Sequence, residues 1–541
     1  MYTITHLLIF IIPLLIQLSF PEIHPDANQM AMQSSEDTKQ KAGSAAVNTP
    51  KIAIIGAGIM GASSAHHLHQ LARLRQPLDI TVFEAENQVG GRVRSAHVHN
   101  EPAFDVEVGA ATFTEDDWCL KEAMQEVGLK PAVRSRSGYR AGVWDGSRLL
   151  LSYSETDKPL SGAYWQSPKW LWRYGSSLFK IHEMIKESAA SFSSFAVFHP
   201  FLKLSEKLKE SFPSQEFSSS AARFFESCRI SAKLVNEVMR TQSRYRHAHE
   251  LDQVNVLSSL LALRSAPNIA IHQGNQRLPH RMLKIAEAHI YLNTRVSRVT
   301  NGEQRRWKIH TVSTNDQMNT QPSTSEAEFD IVILTAPFAL NGIDIDPPIS
   351  ALAFITEVRP YVERHVTLFS TLHRLSPRYF NQSTDTTVPE DILTAPTQSV
   401  SENGNDIFSI TVADRVPPPD TIDDEDELEY VYKIISSKPI PDDEIAHLLG
   451  HSLDSSTSNN ISKDQTLRDL GVTWLHRQAW PHASPKFDPK QPILDNIEIA
   501  PDMYYPAAAE EALSTMEMSC RMGKNVAKHL YYSKWLGDVH P

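Results

Sequence analysis

The chain has 541 residues, too many for one hydrophobic core, so two or three domains are expected. Hydrophobic content of 41% with 21% charge is ordinary for a globular protein, and a net charge of −12 argues against nucleic acid as a partner, because phosphate binding needs a basic face. The only cysteines, Cys119, Cys228 and Cys520, exclude a disulfide framework: at most one bridge can form, and one thiol stays free. No spacing suggests a metal site.

Leu7 to Phe20 is an apolar run broken only by Pro13, Gln17 and Ser19. It is short for a membrane span and suits the apolar region of a signal peptide. Residues 1–22 are assigned as signal peptide. An uncleaved anchor is the alternative, since no Lys or Arg precedes the run and no A-x-A site follows it. Residues 23–49 are polar and read as a disordered linker, so the folded part begins near Pro50. Asn381 and Asn460 open glycosylation sequons, usable on the secretory path.

The apolar segment Ile52-Ala53-Ile54-Ile55 runs into Gly56-Ala57-Gly58-Ile59-Met60-Gly61. A strand, a tight glycine turn and a helix start make a dinucleotide site. Gly56 makes the turn, Gly58 lets phosphate approach the backbone, and Gly61 lets helix and strand pack closely. The next apolar segment ends on Glu84, where a carboxylate can accept bonds from ribose hydroxyls. Gly90-Gly91-Arg92 follows at once. Flavoproteins of the amine-oxidase and glutathione-reductase type carry a similar stretch after the ribose acid, and this likeness narrows the cofactor to FAD.

Phe104 to Ala111 is expected to be a strand entering a glycine turn at Gly109, resembling an E-x-G-A segment that runs beside the cofactor in flavin oxidases. Asp116 to Val127 reads as a helix ended by Gly128. Residues 164–240 are helical in pattern, and the apolar stretch from Trp165 to Ile185 reads first as packed core and second as a lining for a greasy substrate. Residues 288–312 alternate like strands, and Phe329 to Pro337 reads as a buried strand. Residues 381–424, rich in Thr, Ser, Asp and Pro, are expected to be a surface insertion. Asp423 to Glu429, with six carboxylates in seven residues, is expected to be a solvated loop. Asp502 to Tyr505 reads as a short strand, followed by a helix whose start can face cofactor phosphates.

The expected fold class is therefore α/β: a discontinuous FAD-binding Rossmann-type domain with an inserted substrate domain of mixed β-sheet plus helices. The FAD-binding parts are assigned to 50–135, 273–345 and 485–536. The substrate parts are 136–272, largely helical, and 346–484, with surface insertions.

Four further segments resemble the prenylcysteine oxidase (prenylcysteine lyase) family over residues 50–536. Trp172-Arg173-Tyr174-Gly175 resembles its WRYG segment, Gly274-Asn275 with Leu278 its GGNKL segment, and Trp480-Pro481-His482 its YPH segment. Tyr504-Tyr505, Glu510 and Ser514 to Ser519 resemble its late YYLNGIECAASAMEMS segment. Gln273 stands where the family has a first glycine, and Ala507-Ala508 stand where it has Asn-Gly.

The resemblance implies a FAD-dependent thioether oxidase acting on farnesylcysteine or geranylgeranylcysteine. Hydride leaves the prenyl C1 carbon for the flavin, and water attacks the sulfur-stabilised cation. The hemithioacetal collapses to aldehyde and free cysteine, and O2 is reduced to hydrogen peroxide. The cofactor contacts implied are Gly56, Ala57, Gly58, Gly61, Glu84, Gly90, Gly91, Arg92, Gly109, Glu510 and Met516. His272, His280 and His482 are candidates for a base near the water, by position or motif. The implied setting is a lysosome or vacuole lumen, with membrane contact only peripheral and through the substrate. Two alternatives stay open: a flavin amine or polyamine oxidase, with Tyr504-Tyr505 supplying part of an aromatic pair, and a non-catalytic prenyl-binding escort.

Overall fold

The computed structural model describes residues 49–535 except 74, 134–139, 155–159, 161–167, 197–198, 213–216, 218, 265–267, 315–323, 338–341, 349–359, 396–405, 420–427, 452–466 and 492. The described residues fall in one unit beginning at Thr49. The signal-peptide and linker assignments, and Asn460, lie outside the described residues.

β1 (Lys51–Ile55), α1 (Ile59–Ala72) and β2 (Asp79–Phe83) form the expected βαβ unit, with β1 and β2 parallel. Ile52 to Ile55 form a continuous apolar run because β1 is central and covered on both faces. In its six-stranded sheet the order is His289–Tyr291, β2, β1, Ile331–Leu334, Met503–Tyr504 and Glu498–Ala500. Strands from the start, middle and end of the chain thus share one sheet. Strands Thr294–Asn301, Trp307–Ser313, Thr324–Phe329 and Asp344–Asp346 form a separate four-stranded sheet.

The helix α2 (Trp118–Glu126) follows the expected span, with Gly128 at φ +71° just past its end. A seven-stranded sheet builds the second half of the structure. It contains β3 (Tyr361–Thr371), β4 (Val472–Pro485) and the strands Glu429–Ser436, Ile407–Val416, Asp391–Thr394, Arg140–Trp144 and Leu149–Ser154. Two expectations are corrected here. Asp391–Thr394 and Ile407–Val416 are buried strands of this sheet, so the stretch 381–424 is not merely a surface insertion. Asp423 to Glu427 of the acidic run lie outside the described residues, but its last residue, Glu429, is fully buried, accepting a hydrogen bond from Thr473 Oγ1 (2.8 Å) and facing His99 Nε2 at 2.9 Å. Composition hid both, because Thr, Ser and Asp inside these strands have partners that a single sequence does not reveal.

The closing helix α3 (Met516–Leu530) packs on α1 at glycine: a Cβ on Gly523 would lie 2.5 Å from the Met60 carbonyl oxygen. Ser63 Oγ donates to the Cys520 carbonyl at 2.7 Å. A disulfide joins Cys119 in α2 to Cys520 in α3, and Cys228 is the free thiol. The single bridge allowed by three cysteines thus closes a loop of 401 residues' separation. Cys520 is therefore not available to tether a flavin. No described helix is long and apolar enough to cross a membrane.

Candidate active site

The glycine turn has the geometry of a cradle. Gly56 lies at φ +108°, a conformation that favours glycine. A Cβ on Gly61 would lie 2.0 Å from the Gly56 carbonyl oxygen, so the third glycine is demanded by helix–turn packing. Gly58 differs: its φ is −74°, and a Cβ there would meet only the Gly90 carbonyl oxygen, at 3.9 Å. The protein itself leaves that space open at the start of α1, where first-turn N–H groups lack intrahelical partners. The open side of Gly58, at the start of α1, fits a pyrophosphate.

Glu84 lies just past the end of β2. Its carboxylate accepts the Ala57 N–H at 2.8 Å and the Glu86 N–H at 3.0 Å, which fixes it facing the turn. Burial raises its pKa, against the opposing pull of those backbone donors. Gly90 at φ +126° and Gly91 at φ +57° turn the chain back past Gly58.

Arg92 forms a fork-to-fork pair with Glu510: Nη2 donates to Oε2 at 2.7 Å, and Nη1 donates to Oε1. Arg92 Nη1 also donates to the Ala483 carbonyl at 2.9 Å. Burial works against the guanidinium's charge, but the Glu510 carboxylate outweighs it and holds the pKa above its ordinary value. Glu510, implied as a cofactor contact, is placed here as the anchor of Arg92. Gly109 is also explained by close approach, since a Cβ there would lie 1.9 Å from the Arg92 carbonyl oxygen. Met516 is the first residue of α3, behind the N-cap Thr515, whose hydroxyl accepts the Met518 N–H at 3.2 Å.

The segments that carry the family resemblance are largely cross-links. Asn275 Nδ2 donates to the carbonyls of Ala110 (3.1 Å) and Ala111 (2.9 Å), and its N–H donates to Glu107 Oε1 at 2.6 Å. It thereby holds the stretch around Gly109. Lys433 Nζ fixes the same stretch through the Glu107 carbonyl at 2.7 Å. Gln273 takes φ +62° where a glycine would be easier, and its side chain accepts from Arg277 at 2.6 Å. Ala507 and Ala508 lie in the buried short helix Pro506–Glu511 and need no positive φ, so alanine fits there. Arg173 and Tyr174 close on Glu237, with Arg173 Nε at 2.7 Å and the tyrosine hydroxyl at 3.0 Å. Trp170, Tyr174, Leu178 and Ile181 are core, as first expected, whereas Trp172 is 88% exposed.

The three candidate histidines separate. His272 and His280 are exposed, on and beside the helix Arg277–Ile285. His482 sits in a bulge of β4. Val362 pairs with Ser484 and Arg364 with Trp480, so Pro481 to Ala483 oppose Glu363 alone and lift out of the ladder. The sequence reading missed Tyr361, whose ring packs edge-on against His482 with centroids 6.1 Å apart. Burial, and next the Glu510 carboxylate, raise the Tyr361 pKa, so its hydroxyl keeps its proton. Only strand alternation marked this position, and the bulge disrupts that signal. Among the described residues no group of three His, Cys, Asp or Glu could hold a metal.

A dinucleotide cradle joined to a seven-stranded sheet defines a flavin oxidoreductase architecture. A putrescine oxidase variant structure matches with a TM-score of 0.57 over 90% of this chain and 99% of that one, at 14% identity. Residues 54–127 match the model for an NAD(P)-binding Rossmann-like domain. The chain belongs to the prenylcysteine lyase family, whose model matches residues 160–540. Prenylcysteine oxidase 1 of Bos taurus is 25% identical, with 92% of each chain covered. Farnesylcysteine lyase of Arabidopsis thaliana is 22% identical over 88% of this chain and 87% of its own length.

Proposed function

We propose that this chain is a FAD-dependent thioether oxidase that converts a prenylcysteine, O2 and water to a prenyl aldehyde, free cysteine and hydrogen peroxide, in the breakdown of prenylated proteins. The family match across residues 160–540 carries this reading, and the open cradle at Gly58 carries the cofactor assignment. Bound FAD supplies the two-electron oxidation of the carbon beside sulfur. Gly58, Glu84, Gly90, Gly91 and the α3 start hold it, Gly61 lets α1 pack on the turn, and Arg92 and Glu510 stiffen the wall beside it. The remaining work of the chain is to place an apolar substrate and admit one water.

The amine-oxidase alternative keeps only Tyr505 of its two tyrosines. Tyr504 turns its hydroxyl to Glu498 at 3.2 Å and packs on His529. The escort alternative would not need Gly58 to remain unfilled. The deciding experiment is an absorbance spectrum of the purified protein before and after anaerobic farnesylcysteine, followed by aldehyde and peroxide measurement in air. A flavinylated preparation that neither bleaches nor makes peroxide refutes the reading.

For location we propose the secretory path, ending in a lysosome or vacuole lumen, with an uncleaved N-terminal anchor as the alternative. The Cys119–Cys520 bridge supports an oxidising route. Asn381 is exposed, at the end of the short helix Pro377–Phe380, where a glycan has room. Endoglycosidase sensitivity of the chain made in its own cells tests this; a chain without glycan and with reduced Cys119 refutes it.

A further inference from the structure

We infer that His482, positioned by Tyr361, is the group that takes the proton from the attacking water and returns it to the departing sulfur. The inference rests on the thioether-oxidase reading and deepens it.

The geometry singles out His482 among the histidines. The bulge that carries it is tied to the cofactor side at both ends. On one side Trp480 Nε1 donates to the Val108 carbonyl at 2.9 Å. A Cβ on the neighbouring Gly109 would lie 3.3 Å from Trp480 Cζ2. On the other side the Ala483 carbonyl accepts from Arg92, and Ser484 Oγ lies 2.6 Å from His249 Nε2. Pro481 and His482 are thus held between two fixed points, and the His482 side chain is exposed there. Tyr361 braces the ring from the facing strand, and its own hydroxyl makes no hydrogen bond to any described residue. The exposed His482 and the half-buried Tyr361 thus offer one proton acceptor and one hydroxyl donor side by side, the pair that would orient a single water.

Oxidation of C1 removes one hydride and leaves a carbon–sulfur cation. Water oxygen bonds to C1 and gives one proton to His482, forming the neutral hemithioacetal. The C–S bond then breaks as the hydroxyl loses its proton to solvent and becomes the aldehyde, while His482 gives its proton to the cysteine sulfur. Two electrons have left with the hydride, and no further oxidant is needed.

The test uses the FAD-loaded enzyme in single turnover, following flavin bleaching and, by rapid quench, aldehyde. His482→Gln is expected to bleach with farnesylcysteine within about twofold of the parent rate but to release aldehyde at least tenfold more slowly, at the modest end of general acid–base contributions. Imidazole should restore that release. Tyr361→Phe should slow it about two- to tenfold, the effect of one lost hydrogen bond, and change its solvent deuterium isotope effect. His272→Gln and His280→Gln should match the parent in both phases. An independent readout is labelling by diethyl pyrocarbonate: anaerobic farnesylcysteine should protect His482 at least tenfold and leave His272 and His280 labelled. Parent-like aldehyde release by His482→Gln, or equal His482 labelling with and without farnesylcysteine, overturns the assignment alone. A parent enzyme that does not bleach overturns the substrate reading and this assignment with it.

Discussion

Replacing Gly58 by alanine separates what the fold needs from what the cofactor needs. The residue has φ −74° and ψ −174°, extended backbone open to any L-residue. Its new Cβ would have one neighbour, the Gly90 carbonyl oxygen at 3.9 Å, an ordinary contact. Nothing in the protein resists the methyl group. Removing a glycine from the unfolded chain should even stabilise the cofactor-free protein by about 0.4–1 kcal/mol. A phosphate lying against that backbone must yield to the methyl, and overpacking costs about 1–3 kcal/mol. At 1.4 kcal/mol per decade, FAD affinity should fall roughly 5- to 150-fold. Gly61→Ala is the contrast: its Cβ would stand 2.0 Å from the Gly56 carbonyl oxygen and 2.9 Å from Thr335 Oγ1, so the cofactor-free fold itself must lose stability. The assay is FAD titration of both apo-proteins by flavin fluorescence, with thermal melts of each without FAD. Gly58→Ala binding FAD like the parent, or melting below it when empty, would refute the assignment of this space to pyrophosphate.

Glu84→Ala should weaken FAD by about 1–3 kcal/mol, the cost of a lost hydrogen bond to a charged group, and should also loosen the turn it caps through Ala57; unchanged affinity in the same titration would count against the ribose role. Removing both bridged cysteines (Cys119→Ala with Cys520→Ala) should cost about 2–5 kcal/mol in denaturant unfolding under oxidising conditions, and a variant that unfolds with the parent would show the bridge does not hold. His67 is buried and neutral, with burial first and Lys524 next lowering its pKa to about 3. Below pH 6.5 the unfolded chain binds a proton there that the folded chain refuses. Stability should therefore be full above pH 6.5, fall by roughly 2 kcal/mol at pH 5, and keep falling until about pH 3. His67→Gln should flatten that slope in melts across the range, and an identical slope would mean the proton binds elsewhere.

The parts of the site legible in the sequence were those imposed by backbone geometry. Gly56, Gly61, Gly90 and Gly109 answer to positive φ or to a carbonyl closer than a Cβ permits, and such demands leave glycine in the sequence. Glu84 was legible because it ends an apolar strand. Contacts made by ordinary side chains across long separations left no comparable mark. Nothing local announces that Glu510 will meet Arg92, that Lys433 will meet the Glu107 carbonyl, or that Tyr361 will meet His482. The central strands Asp391–Thr394 and Ile407–Val416 were obscured for the same reason. The Thr394 hydroxyl donates to the Ile407 carbonyl, and buried Arg244, 150 and 162 positions away, donates both to that hydroxyl and to the Asp406 carboxylate.

The late segment Ser514 to Ser519 is part of a structural clamp. Glu517 does not face the cofactor: its carboxylate accepts the Cys119 and Leu120 N–H groups at 3.0 Å each, capping α2, and pairs with Arg521 Nε at 2.5 Å. Arg521 in turn donates to the Phe195 carbonyl at 3.0 Å and stacks on Phe192 and Trp118. With the Cys119–Cys520 bridge beside it, this network clamps α2, α3 and the helix Ser177–Ser194 together. Its consequence for catalysis is indirect but specific, because α3 begins at Met516, one residue before the clamp. A buried ion pair of this kind is strongly destabilising when one partner is removed, by about 3–5 kcal/mol, and adds little when intact. It therefore fixes where the α3 N-terminus lies rather than how tightly the chain folds. The residues that most identify the family are thus those that hold the cofactor's surroundings in register. Between the cross-links at Trp480 and at Ala483, only Pro481 and His482 of that segment stand exposed.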